Sequence, residues 1–428
     1  MINSMIDNYI PRLVDSEVVE KLANFGAVNI VGCKWCGKTR TAKHFANSAV
    51  ELENPDSQSI VPLIKSQPSL ALKGDTPRLI DEWQDIPQVW DAVRYEVDNS
   101  TDSGRFILTG SSVPYKEKPK HSGAGRIADI EMRPMSLYES GDSNGAVSIS
   151  SLFAKNTTIE GEAHYNLEDI AYFCIRGGWP RSIVTSPLNP ALLAKEYLRI
   201  IINREEGFSE LEYYDPTKMQ ALLRSIARNT ATPFKNTTLL ADISENTGFT
   251  ISDVTLANYL SVLERVYLIE SIEAWCPKLR SKTEIRTTRK RYLVDPSLAA
   301  VSLYANVDDL ITDGNTFGLI FESLALRDLK SYASALGADL HYYRDASGLE
   351  CDAIIHLPNG NWGAIEIKLG SNDEALDEGA SNLLNLASLV DASKMHAPSF
   401  LMVLSGDAKY AYRRKDGAYI VPIGCLKP

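Results

Sequence analysis

The sequence predicts an α/β protein: a parallel sheet with helices on both faces, then a helical stretch, then a second α/β region. Three observations carry this expectation. Apolar strand patterns alternate with helical ones early in the chain, in the β-α-β-α-β order that a parallel sheet needs. Beyond about residue 151 the pattern becomes helical, and beyond about residue 276 a long helix precedes closely spaced apolar strands. At 428 residues, 44% hydrophobic and 23% charged, the chain is globular in composition and too long for one core.

Taken in order, residues 27–31 read as a strand and 38–52 as a helix. A short buried strand is expected at 78–80, a helix at 88–97 and another strand at 105–108. Residues 140–151, rich in Ser, Gly, Asn and Asp, read as a loop, and helices come next at 166–175 and 190–204. From 216 to 275 the pattern is helix, helix, turn, helix and a short strand pair, the shape of a winged helix-turn-helix with Gly248 in its turn. The last segment predicts a helix at 316–336, strands near 340–344, 350–356 and 362–368, a helix at 373–389, and closing strands at 400–404 and 419–422. The expected division is thus 1–150, 151–214, 215–275 and 276–428.

Several classes are disfavoured at once. No stretch approaches the roughly 18–20 unbroken apolar residues of a membrane span. The first nine residues carry Asp7 and no basic run, so they do not read as a secretory signal. Six cysteines are sparse for this length, which suits a reducing cytoplasm. With a net charge of −11, any nucleic-acid contact has to come from a local basic patch.

The octet Gly32-Cys33-Lys34-Trp35-Cys36-Gly37-Lys38-Thr39 fits G-x-x-x-x-G-K-[ST] between a strand and a helix, the setting of a phosphate-binding loop. Gly32 and Gly37 permit the tight path that turns successive N–H groups toward phosphate oxygens, and the next helix presents its positive end. Residues Gly32 through Thr39, with Arg40, are the expected nucleotide contacts. Lys38 would reach the β- and γ-phosphates of ATP, and Thr39 would offer its hydroxyl to Mg²⁺. The competing C-x-x-C reading of Cys33 and Cys36 lacks a second such pair, so they read as loop filler. About forty residues on, Asp81 and Glu82 end an apolar strand, where Asp81 would hold Mg²⁺ and Glu82 would polarise the attacking water. A third strand ends in Thr109-Gly110-Ser111: Thr109 or Ser111 would hold that water or sense the γ-phosphate, or else cap a helix or turn. Arg126, in a glycine-containing loop before the next strand, reads either as an arginine finger or sensor, or as a solvent-facing loop residue.

Together "YIPRLVD" at 9–15, the phosphate loop, "LIDEWQDIPQVW", "ILTGSS", "GAGRIADIEMRPMSLYE" and "RGGWPRSI" at 176–183 resemble a bacterial and archaeal family of AAA-type ATPases with a C-terminal domain of unknown function, DUF4143. The resemblance spans nearly the whole chain. It implies a P-loop NTPase fold with an AAA-like sheet, a helical lid and winged-helix segment, and a C-terminal α/β nuclease-like domain. The Cys-Lys-Trp-Cys inside the loop and a longer polar insert near 140–165 depart from the family's usual pattern.

A second constellation lies near the C-terminus. Asp352, Glu366 and Lys368 form D-x13-E-x-K, the spacing of the PD-(D/E)XK nuclease fold that the resemblance also implies, with Glu322 on a preceding helix. Glu366 and Lys368 are two apart on a strand and share a face. A three-residue hairpin loop at Pro358-Asn359-Gly360 pairs residues whose numbers sum to 718 and sets Asp352 opposite Glu366, whereas a two-residue Asn-Gly turn separates them. These groups read either as a Mg²⁺ site for phosphodiester hydrolysis, with Asp352 and Glu366 as ligands, or as a lysine neutralising two acids. Lys278, Arg280, Lys282, Arg286, Arg289, Lys290 and Arg291 make a basic run that would grip DNA or form a solvated hairpin. The would-be recognition helix, 251–262, has no Lys or Arg. Oligomer formation stays open.

Overall fold

A computed structural model describes residues 9–57, 59–112, 123–154, 158–186, 188–203, 214–278, 284–391 and 393–428. Among the described residues two compact units emerge: 9–134 with the short return 262–268, and the remainder.

The first unit runs α1 (Asp15–Asn24), β1 (Ala27–Val31), α2 (Lys38–Phe45), β2 (Ser48–Glu51), α3 (Val61–Ser66), β3 (Arg78–Asp81), α4 (Gln88–Asp98), β4 (Phe106–Gly110) and β5 (Ile127–Glu131). Its five strands are all parallel, in the order β2-β3-β4-β1-β5. Strands β1, β3 and β4 are nearly continuous buried runs, as strands covered on both faces must be. Helix α4 sets Val89, Val93 and Val97 on one face, where they pack with Trp90, Trp83, Ile80 and Leu108. Fully burying each such side chain contributes about 1.5–3 kcal/mol.

The helix expected over 38–52 stops at Phe45, and the chain turns into strand β2 two residues later. Pairing decides this: Val50 lies beside Ile80 of β3, and Asn47 is held by Pro77 and Thr76 carbonyls. Local helix preference in that stretch yields to a sheet edge that needs a partner.

The second unit opens with α5 (Leu137–Ser140), β6 (Val147–Ser148), α6 (Ile149–Leu152) and β7 (Gly161–Glu162), so the loop expected at 140–151 contains short elements. Next come α7 (Leu167–Arg176), α8 (Pro180–Thr185), α9 (Leu192–Asn203), α10 (Pro216–Arg228), β8 (Thr232–Pro233), α11 (Asn236–Thr247), α12 (Asp253–Arg265), β9 (Ile269–Ala274) and β10 (Lys290–Leu293). Gly248 ends α11 at φ +73°, a left-handed value that glycine adopts without strain. The chain continues through α13 (Pro296–Ser302), α14 (Val307–Thr312), α15 (Gly314–Ala335), β11 (Asp339–Arg344), β12 (Glu350–His356), β13 (Trp362–Lys368), α16 (Asp373–Leu389), β14 (Phe400–Ser405), β15 (Tyr410–Arg413), β16 (Tyr419–Pro422) and β17 (Leu426–Lys427). Ten strands form one mixed sheet, β7-β15-β16-β14-β13-β12-β11-β9-β10-β8. Helix α16 packs Leu376, Ala380, Leu383 and Leu386 onto it.

A buried ionic network ties the helices of this unit together. Gly177 sits at φ +68°, and a Cβ there would lie 2.2 Å from Asp295 Oδ1. Its neighbour Gly178 donates its N–H to Asp295 Oδ2 at 2.8 Å, and Trp179 Nε1 donates to Ser297 Oγ at 2.9 Å. Asp295 in turn accepts from Arg327 Nη1 at 3.0 Å. Arg327 also pairs with Asp328, whose other oxygen accepts the Leu137 N–H. Asp295, Arg327 and Asp328 are all essentially inaccessible to solvent. The Arg-Gly-Gly-Trp-Pro stretch is therefore a docking segment for α13 and α15.

Candidate functional site

The C-terminal edge of the five-stranded sheet gathers the residues that the sequence marks. Strand β1 ends at Val31, and the loop after it folds back on itself. Gly32 sits at φ +145°, where a Cβ would be 2.0 Å from the Met132 carbonyl, so no other residue fits without displacing β5. Gly37 opens α2 at φ +106°. Trp35, at the tip, is also left-handed at φ +66° and exposed. Lys38 is buried; its Nζ donates to the carbonyls of Gly32 at 2.9 Å and Cys33 at 2.8 Å. The ammonium thus lies across the mouth of the loop. Of the other expected nucleotide contacts, Lys34 lies 4.0 Å from Glu53, and Arg40 is exposed on α2.

Because β4 lies between β1 and β3, the start of α2 and the ends of β3 and β4 converge. Thr39 Oγ1 donates to Asp81 Oδ1 at 2.9 Å, and Thr109 Oγ1 donates to the same oxygen. Thr109 Oγ1 also accepts the Glu82 N–H at 3.1 Å. Burial raises the Asp81 carboxyl above its ordinary pKa, against the two threonine hydrogen bonds that favour its charged form. Glu82 stands in the left-handed region at φ +55°, a strained conformation of the kind found where geometry matters chemically. Its Oε2 accepts from Ser111 Oγ at 3.1 Å and from Gln84 Nε2. Thr109 braces the two acids, and Ser111 aims the second one. Beneath them, Trp83 Nε1 donates to Asn29 Oδ1 at 3.1 Å, anchoring the strand-end turn in the core.

Two arginines shape this edge, and neither is Arg126. Arg12 is buried and donates to the Cys36 carbonyl through Nη1 and to the Arg133 carbonyl through Nη2, both at 2.8 Å. It clamps the phosphate loop to the end of β5. Arg133 comes after β5 at the same edge, 3.1 Å from Glu131. Arg126 precedes β5 and pairs with Asp98 at 2.6 Å. It is a full strand away, roughly 16 Å for five residues, and cannot reach the loop of its own chain.

The two loop cysteines are fully buried. Burial alone would raise the Cys36 thiol, but a hydrogen bond from Cys33 and the charges of Lys38 and Arg12 bring it down to about 6.

Residues 24–141, which include this loop, match the AAA domain family. This part of the chain is an AAA ATPase domain. It binds and hydrolyses ATP. Residues 167–309 match a domain of unknown function, DUF8612, and residues 317–426 match the domain of unknown function DUF4143. No curated protein matches the chain. Similar solved structures include the Walker-type ATPase PABY2304 of Pyrococcus abyssi, at 14% identity, covering 69% of this chain and 97% of that one with a TM-score of 0.42. Replication initiator DnaA bound to AMPPCP and single-stranded DNA is another, at 15% identity, 62% and 92% coverage and a TM-score of 0.30. DnaA from Aquifex aeolicus bound to AMPPCP gives 14%, 62%, 91% and 0.30.

In the second unit, β12 and β13 pair in the register that a three-residue loop predicts: Ala353 faces Ile365 and His356 faces Trp362. One step further along, Asp352 and Glu366 are neighbours, and Asp352 Oδ2 accepts the Ile367 N–H at 2.8 Å. Lys368 is drawn to Glu378 at 2.8 Å and lies 3.8 Å from Glu366. A residue not expected in this place joins them. Lys290 of β10 is buried, with Nζ 2.6 Å from Glu322, 3.6 Å from Asp352 and 3.9 Å from Glu350. These carboxylates do not fit a divalent ion, because an ammonium already stands among them. Among the described residues no group of three or more His, Cys, Asp or Glu side chains is arranged to hold a metal.

With Lys290 turned inward, the basic run loses its continuity. Arg289 pairs with Glu273 at 2.8 Å, and Arg291 reaches Asn236. Arg280 and Lys282 fall outside the described residues. Helix α12 exposes Asp253 and Val254 and no cation over 253–261. No described helix is long and apolar enough to cross a membrane.

Proposed function

We propose that the AAA domain works as a Mg²⁺-dependent ATPase whose nucleotide state controls the second unit. The observation that carries this reading is the hydrogen-bonded chain Thr39–Asp81–Thr109–Glu82 beside the loop that Lys38 spans. Thr39 and Asp81 would hold Mg²⁺ against the phosphates; when bound, the ion neutralises charge that builds on the transferring phosphoryl oxygens. Lys38 would exchange two carbonyl partners for phosphate oxygens, a stronger charge-assisted bond. Glu82, held by Ser111 and Gln84, would orient the attacking water and take its proton. Thr109 is a positioning residue that keeps Asp81 and Glu82 in step. Steady-state phosphate release tests this: Glu82→Gln should bind ATP and turn over poorly, and unchanged turnover would defeat it. Control of the second unit should appear as a change in hydrogen exchange over 135–428 when Glu82→Gln is loaded with MgATP. Identical exchange with and without nucleotide would disprove it.

A second reading, ATP-gated contact with DNA, is supported by one place in the second unit. A cleft of about 510 Å³ at the start of α11 is lined by Lys235, Arg286 and Arg344 together with Thr232, Thr238 and Thr288. Its cations and hydroxyls suit a phosphodiester backbone. Retention on DNA should then weaken with salt, and Arg286→Glu with Arg344→Ala should flatten that dependence. Salt-insensitive binding, or none, removes this reading.

A further inference from the structure

Three carboxylates from two elements surround one spot in the second unit, Glu322 on α15 and Glu350 and Asp352 on β12, with Glu366 on the neighbouring strand β13. Lys290 enters from β10, two strands beyond β11 in the sheet order, and its side chain is 1% exposed. Its ammonium touches Glu322 and stands within 4 Å of Asp352 and Glu350. It also lies 5.5 Å from the centre of the Tyr342 ring, which walls the spot on another side. A divalent ion among these oxygens would need several of them at about 2.0–2.6 Å, within contact range of the ammonium and against its charge.

The surrounding groups are already satisfied without such an ion. Glu322 is ion-paired, Asp352 accepts a backbone N–H, and Lys368 turns to Glu378. Burial, together with the nearby Asp352 charge, pushes Glu366 well above the ordinary carboxyl range.

We infer that Lys290 is a resident cation: its ammonium takes the place that a divalent metal takes in a carboxylate site, so the native cluster binds no Mg²⁺ or Mn²⁺ and acquires a metal site when that ammonium is removed. Metal-activated water is then absent from this unit, and the cluster is structural: Lys290 ties the sheet to α15 through Glu322, and Lys368 ties β13 to α16 through Glu378, instead of cutting phosphodiesters. This goes beyond the ATPase reading and does not depend on it.

Mn²⁺ binding to the full-length chain, measured by calorimetry without nucleotide, is the test. An Asp81→Asn background silences the AAA domain's own metal position. In that background the chain should take up no Mn²⁺. Adding Lys290→Met, which keeps the stem's bulk and removes the charge, should raise Mn²⁺ affinity by at least about tenfold, and a further Asp352→Asn should abolish the gain. Uptake by the Lys290-containing chain that Asp352→Asn eliminates would overturn the inference. So would a folded Lys290→Met chain that takes up no metal. If Lys290→Met does not fold unaided, refolding in Mn²⁺ against refolding in EDTA reads the same question: recovery in Mn²⁺ alone supports the resident cation, and equal failure refutes it.

Discussion

The AAA domain and the second unit each set a lysine beside strand-end or mid-strand carboxylates, and the two arrangements differ in what the lysine faces. Lys38 is held by two backbone carbonyls at the open edge of a sheet, while Asp81 is matched to hydroxyls of Thr39 and Thr109. Neither group has found its strongest partner, and a triphosphate with its metal would supply both. Lys290 has found its partner already, in Glu322. The same residue types therefore make a prepared receptor in one place and a closed ion pair in the other. What separates them is whether the ammonium is held by neutral carbonyls or by a carboxylate.

The largest expected effects lie on the receptor side. Glu82→Gln should lower turnover by about 10²–10⁴-fold while leaving ATP binding measurable by calorimetry. Lys38→Ala should instead weaken binding itself by about 2–5 kcal/mol. Next comes the closed pair. Lys290→Met, measured by denaturant unfolding, should cost about 3–5 kcal/mol because it strands buried carboxylates. Lys368→Met, whose partner Glu378 is exposed, should cost about 0–1 kcal/mol. Equal costs for the two lysines would erase the contrast between them.

A smaller effect is expected from Thr109→Val, about 10–100-fold in turnover, with ATP affinity changed far less, because the hydroxyl acts through Asp81 and Glu82. The loop cysteines sharpen the picture further. A thiol brought down to about 6 stays ionised above that pH and protonates below it. The thiolate ultraviolet absorbance of the chain, compared with that of Cys36→Ala, should therefore show the Cys36 step near pH 6, whereas an ordinary cysteine ionises near about 8.5. Cys33→Ser should move that midpoint. The smallest effect is assigned to Arg126→Ala: about 0–1 kcal/mol of stability from its exposed pair with Asp98, and unchanged turnover in dilute solution. A loss of about 10³-fold or more at high protein concentration would show that it serves a neighbouring copy.

How much of this was legible in the sequence depends on how local each feature is. Gly32, Lys38 and Thr39 carry their meaning in consecutive residues, and Asp81–Glu82 needs only the end of one apolar strand. The register of β12 and β13 came from a short turn. The insertion of β4 between β1 and β3 did not, because strand order is set by packing across the whole sheet. For Arg126 the sequence offers a finger and a solvent-facing residue alike, and strand direction bears on the choice: Lys38, Asp81 and Thr109 all succeed or close their strands, whereas Arg126 precedes its own. In parallel strands, residues before and after lie at opposite edges. Arg12, far upstream of β5, gave no local signal of its clamp. Lys290 was hidden by its neighbours. Within Arg289-Lys290-Arg291-Tyr292, alternation sends Lys290 and Tyr292 inward, and only pairing with β9 fixes which pair that is.

The docking of Gly177 and Gly178 on Asp295 has a practical side. Fragments that start near residue 276 would leave Asp295 and Arg327 without the glycine turn that seals them, and fragments ending near 275 would expose that turn with nothing beneath it. A cut just after Pro134 keeps the interlocked helices whole but parts the return 262–268 from the first unit.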